Sequence, residues 1–208
     1  MALKTLLVPV HKDGWADAVL DTACAFTQRY VALDITRSEY ITSDVYGAAW
    51  VPVPRERTET EARESRELFQ NAMSARAIPE VAVPTSGLSQ AWCETDLTAI
   101  GGVSGYARAL DATVFGRCPP SEFAGHRFVL ESTLFESGRP ILIAPRTPPR
   151  SIGETVVIAW NCSTESARTV AFSMPVIEAA KRVIVLTVEA GTVQGPSGMD
   201  LALRLKAN

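Results

Sequence analysis

The sequence predicts a parallel α/β sheet covered on both faces, followed by a partial second copy of the same fold. Three observations carry this. Short apolar runs alternate with amphipathic helical segments from the first residues onward. A proline-rich stretch, PRTPPRSIGE at 145–154, then interrupts the pattern. After it the pattern restarts: TVVIAWNCSTESARTVAFSM at 155–174 repeats the strand-turn-helix phrase of TLLVPVHKDGWADAVLDTAC at 5–24.

The elements follow in order. Leu3 to Val10 is a short run of β-formers that suits a strand buried on both faces. Asp13-Gly14 breaks it. Trp15 to Arg29 places Ala16, Val19, Leu20, Ala23 and Phe26 three and four apart, which is one face of a helix. VALDIT at 31–36 predicts the second strand, so the chain opens β-α-β with a right-handed crossover. Thr58 to Arg76 is a helix whose charge run is a solvated face. Glu80 to Thr85 predicts the third strand, 86–95 a loop, and Leu97 to Leu110 a helix weakened by Gly101, Gly102 and Gly105. Ala112 to Gly116 and Ile141 to Ala144 predict two further strands. Between them Phe123 to Ser137 is a helix that Gly138 and Pro140 end.

After the connector, Thr155 to Trp160 predicts a strand, Ser163 to Ala180 a helix and Arg182 to Glu189 a strand. A turn-rich loop at 191–198 and a short helix over Asp200 to Lys206 follow. LLVPV aligns with VVIAW. With one residue of slippage, Ala16 and Val19 fall on Ala167 and Val170, and VALDIT corresponds to VIVLTV. The expected boundaries are 1–145 for the first domain, 146–154 for the connector and 155–208 for the partial repeat. The abrupt LRLKAN ending is what a shortened tandem protein would show.

Composition excludes several classes. Of the 208 residues, 47% are hydrophobic and 21% charged, an ordinary globular balance. The net charge of -3 and the scattered basic residues give no surface for a nucleic-acid backbone. Cysteines at 24, 93, 118 and 162 form no CxxC pair, which predicts reduced thiols in a cytoplasmic protein. No apolar run reaches membrane-spanning length, and no metal-ligand spacing appears.

The opening KTLLVPV with its turn and amphipathic helix, the segment LFESGRPILIAPR, the restart VVIAWNCSTESARTVAF and the stretch GPSGMDLALRL together resemble the universal stress protein family, particularly its tandem-domain bacterial members. The resemblance implies a Rossmann-like, doubly wound parallel five-strand sheet of the adenine nucleotide alpha hydrolase-like class. Many members bind ATP or AMP; others bind no nucleotide and act as dimeric stress-response modules. ATP-binding members carry an acidic residue after the first strand and Gly-x2-Gly-x9-Gly-Ser/Thr after the fourth. Such glycines let backbone N–H groups approach phosphate. Here Gly116 matches the first glycine, but Pro119 stands at the second, and FVLES at 128–132 replaces the Gly-Ser. Proline removes a donor and a turn option together. The expectation is therefore a chain without the phosphate cradle.

Ligands of open α/β sheets bind at the carboxyl ends of the strands. That selects Lys12, Asp13, Gly116, Arg117, Asn161 and Ser163 as candidate cofactor-binding residues, with His11, Cys118 and Cys162 beside them. Lys12 and Arg117 are the cations available to an anion. Cys162 stands at a helix start, where a dipole can activate a thiol, although Ser163 or Thr164 as N-cap explains the local polarity without chemistry. Cys118 and His126 form no recognisable nucleophile pair. GGVSG at 101–105 reads as a broken helix rather than a phosphate loop. The expected function is a non-enzymatic stress-response module acting through homodimerisation or protein binding. An adenine-nucleotide sensor is the first alternative and a thiol redox sensor the second.

Overall fold

The computed structural model describes residues 3–10, 14–30, 36–41, 55–81, 88–93, 102–117, 124–188 and 191–207. They fall into two compact units, Ala2–Arg150 and Ser151–Asn208, each α/β with parallel strands. No helix among the described residues is long and apolar enough to cross a membrane.

The larger unit runs β1 (Thr5–Pro9), α1 (Ala16–Tyr30), β2 (Thr36–Ile41), α2 (Arg55–Ala75), β3 (Leu88–Cys93), α3 (Gly102–Ala107), β4 (Ala112–Gly116), α4 (Ala124–Glu136) and β5 (Ile141–Ala144). The strands pair in parallel in the order β3-β2-β1-β4-β5. Leu6, Leu7 and Val8 on β1 are fully buried, as a central strand between two layers requires. Leu7 joins Phe115, Val103, Ala107, Leu110 and Val129 in one cluster beneath α3 and α4. By strand alternation Leu6 and Val8 face the opposite side, where α1 packs on β1. Gly138 takes a left-handed φ of +67° and ends α4, the role its position in the sequence suggests.

One carboxylate fixes how β1 and β4 enter the sheet. Asp111 Oδ2 accepts from the N–H groups of Lys4 (2.8 Å) and Thr5 (2.9 Å) and from the Thr5 hydroxyl (2.9 Å). The Asp111 N–H donates back to Thr5 O at 3.2 Å. On the other side of the unit the Arg76 guanidinium pairs with the Asp21 carboxylate and donates to Ala72 O, tying the end of α2 to α1. Beneath it, burial pushes the Cys24 thiol up to about 11, so this cysteine is protonated at neutral pH.

Three elements differ from the sequence reading. The second strand lies at Thr36–Ile41 rather than 31–36, of which 31–35 are outside the described residues. The third lies at Leu88–Cys93, inside the segment expected to be a loop. Of the 80–85 run, Glu80 contributes a single parallel bridge to Gln90, and 82–87 are outside the described residues. The helix expected over 97–110 spans Gly102–Ala107, with 94–101 outside the described residues. For the two strands the cause is pairing geometry: parallel register with β1 over five residues places β2, and register with β2 over six places β3.

The smaller unit runs β6 (Thr155–Ala159), α5 (Thr164–Glu178), β7 (Arg182–Leu186) and α6 (Gly198–Lys206), with β6 and β7 parallel and Thr155 opposite Arg182. Ile158, Trp160 and Ile177 form its core, and Val170 and Met174 of α5 and Leu201 and Leu205 of α6 pack on it. The other sheet face is open: Val157, Ile184 and Leu186 are 56%, 39% and 52% exposed.

Replacing Asp111 with Ala removes three hydrogen bonds to one carboxylate oxygen, and should cost about 2–3 kcal/mol in urea unfolding. Asp111→Asn, which keeps an acceptor, should cost less. A loss below about 0.5 kcal/mol for Asp111→Ala would show that strand pairing alone holds the register.

Candidate functional site

In the larger unit the carboxyl end of β4 is closed by packing. Gly116 is buried and paired with Ala144. A Cβ there would meet Val19 Cγ2 at 3.0 Å and Trp15 Cβ at 3.6 Å. Glycine at 116 thus lets the start of α1 lie directly on the strand end. Arg117 is exposed, and its N–H donates to Ala144 O at 2.9 Å. Arg146 lies over the Trp15 ring, 4.5 Å from its centroid, and shields it further. His11, Lys12, Asp13 and Cys118 lie outside the described residues, as does the His126 side chain.

In the smaller unit Asn161, Cys162 and Ser163 join β6 to α5. Asn161 Oδ1 accepts the Ser163 N–H at 3.1 Å, and its carbonyl accepts the Val193 N–H at 2.8 Å. Ser163 is the N-cap of α5, its Oγ accepting the Ser166 N–H at 3.1 Å. Cys162 adopts a left-handed φ of 65°, which a non-glycine residue holds only when its surroundings impose it. Its thiol and the Trp160 Nε1–H both donate to Pro196 O, the latter at 2.9 Å. These bonds draw the loop before α6 down onto the end of β6.

Two glycines make that closure feasible. A Cβ at Gly195 would stand 3.3 Å from Cys162 Cβ, and one at Gly198 only 2.6 Å from Thr187 Oγ1. The result is a cleft of about 570 Å³ whose lining includes Trp160, Cys162, Thr187, Gln194, Ser197 and Met199. It opens at the carboxyl ends of β6 and β7, beside the start of α6.

Both helix starts carry their own anion. The Ser197 N–H and hydroxyl donate to Asp200 Oδ2 at 2.9 and 2.7 Å, and the Asp200 N–H donates back to Ser197 Oγ at 3.2 Å, a complete capping box. The Ser197 hydroxyl, then its backbone N–H, hold the Asp200 carboxyl below the usual range. Glu165 in the first turn of α5 is lowered chiefly by its own backbone N–H, then by the hydroxyls of Thr164 and Ser163. The positive ends of both dipoles are thereby offset from within. Among the described residues no group of three or more His, Cys, Asp or Glu side chains is placed to hold a metal ion.

Of the six candidate residues, the structure brings Asn161 and Ser163 together at one strand end. Gly116 and Arg117 belong to the other unit. Sequence reasoning missed Trp160, Thr187 and Ser197. The signal for Ser197 was present: Ser-x-x-Asp at 197–200, just before Leu201 and Leu205, is a helix-start signature. Nothing in the sequence marks Thr187 as facing Gly198.

A scan against protein-family models gives no match to this chain, and no curated protein matches it either.

Two outcomes test these assignments. Gly116→Val should destabilise by about 2–3 kcal/mol through overpacking, and Val19→Ala in the same chain should restore at least half. No rescue would mean that Gly116 serves something other than the seat of α1. The Asp200 carboxyl should titrate below the ordinary aspartate range by NMR, and Ser197→Ala should bring it back toward that range. Because the folded pKa is the lower one, the cap's contribution is full above the unfolded pKa. It is lost as pH falls through the folded value. An unchanged Asp200 midpoint in Ser197→Ala would contradict the capping assignment.

Proposed function

We propose that the chain is a universal stress protein-like module that works by association rather than catalysis. The fold reading behind this is a Rossmann-like five-strand domain followed by a partial repeat of its first β-α-β unit. Parallel pairing in the order β3-β2-β1-β4-β5 and the parallel β6-β7 pair, each pair spanning a helix, support that reading. The observation that carries the functional conclusion is the open face of β6-β7. Two strands with one apolar face in water fall short of an independently stable sheet, and Val157, Ile184 and Leu186 are the residues a partner would cover. Homodimerisation is the simplest way to cover them.

The adenine-nucleotide reading rests on one observation, the cleft at the carboxyl ends of β6 and β7. The self-capped helix starts and the packing role of Gly116 weigh against it.

Native mass spectrometry of the undigested protein decides between them. The expected result is a bare dimer, with Val157→Asp weakening the dimer by about tenfold or more. A bare monomer at all concentrations would remove the association reading. An adduct with the mass of AMP, ADP or ATP would replace it with the nucleotide sensor.

A further inference from the structure

A second cleft of the smaller unit lies on the helix-covered side of the sheet, between α5 and α6. It measures about 610 Å³, within the range of small-molecule sites. Its floor is apolar: Met174, Ile177, Val183, Val185 and Leu205. All five belong to the core cluster of the unit, so the cleft opens straight onto the core. Only Ile177 of the five is buried; the others are half-buried, so much of the apolar floor faces the cleft.

The rest of the lining is charged and unbalanced. Lys181, Arg182 and Lys206 line the cleft with one acid, Glu178. Lys181 is shared with Glu154 at 3.3 Å. Among the described residues neither Arg182 nor Lys206 has an ion-pair partner. These cations stand at or just after the C-terminal ends of α5 and α6, where helix dipoles favour positive charge. The cations thus outnumber the one acid of the lining, and only Lys181 of the three is paired among the described residues.

We propose that this cleft binds a single-chain amphiphile with one carboxylate, its alkyl chain on the Met174–Leu205 floor and its head at the Lys181, Arg182 and Lys206 mouth. The charge at the mouth selects the anionic head, and the half-buried floor selects the chain. A neutral alcohol would gain only the second contribution, and a quaternary ammonium head would be repelled. Binding would complete a core that is small for its unit, so the ligand would also stabilise the fold.

The test is calorimetric titration of the full chain with decanoate, decan-1-ol and decyltrimethylammonium, each below its micelle concentration. Decanoate should bind roughly tenfold more tightly than decan-1-ol, summed over Arg182 and Lys206, the two cations without an ion-pair partner among the described residues. Arg182→Glu with Lys206→Glu should remove that preference while leaving decan-1-ol binding unchanged. Ala202→Phe, which fills the groove, should weaken both. The charge variants guard against a folding defect in Ala202→Phe, because both residues sit in solvent. Equal affinity for decanoate and decan-1-ol, or no binding of either, overturns the proposal. So does decanoate binding that survives Ala202→Phe and is lost in Val157→Asp, which would put the ligand on the open sheet face.

Discussion

Closure of β1 on both faces is the constraint from which the larger unit is built. A strand with Leu6, Leu7 and Val8 at no measurable exposure has no side that tolerates water, so the chain must supply a layer above and a layer below. Strands β2 and β3 extend the sheet from one edge of β1 and β4 and β5 from the other, and helices supply the two layers. Helix α1 packs on one face, and α3 and α4 cover the face that carries Leu7 and Phe115. The Asp111 carboxylate makes this reversal of direction specific. By accepting from Lys4 and Thr5 it sets Leu6 opposite Ala112, and that register brings Gly116 to the start of α1. The glycine is then demanded by packing, since any Cβ would press on Val19.

The smaller unit meets the same constraint on one face only. Residues of β6 and β7 alternate, with Val156, Ile158, Val183 and Val185 inward and Val157, Ile184 and Leu186 outward; Thr155 and Arg182 make the outward set polar only at the strand starts. Solvent-facing strands usually carry polar residues at the outward positions. Val157, Ile184 and Leu186 there give the pattern of a strand meant to be covered twice, as β1 is. The proposed association surface and the proposed ligand groove thus lie on opposite faces of one two-stranded sheet.

Much of the fold was legible where hydrophobic runs had firm punctuation. Strands β4 and β5 fall where the sequence placed them, because Asp111, Gly116, Pro140 and Pro145 bound them tightly. The misplaced strands, TRSEYI and LSQAWC, carry too many polar residues to announce themselves. Ser89 and Gln90 are buried at 1% and 4% exposure, so the polarity that hides β3 in the sequence sits inside the sheet. Such burial depends on partners distant in sequence, which periodicity cannot report. The candidate site was legible in part for the same reason. Asn161 and Ser163 follow from their place after an obvious strand. Trp160 and Thr187 matter only because the 191–197 loop folds back over them, with Pro196 O as the shared acceptor for Trp160 and Cys162.

The charge pattern of α5 and α6 follows their dipoles. A helix dipole makes the amino end positive, and the sequence answers with Glu165 and Asp200 there. The carboxyl end is negative, and the sequence answers with Lys181, Arg182, Arg204 and Lys206 at and after the last turns. A bare helix pair would bind phosphate at its amino ends. This pair offsets that field with hydrogen-bonded carboxylates, and its cations answer the negative ends in the same way. The lining of the Trp160 cleft holds no charged side chain, whereas Lys181, Arg182, Lys206 and Glu178 line the Met174–Leu205 groove. The proposed preference of an anion for the groove follows from this difference in lining, and the cations that make it also stabilise the helix ends.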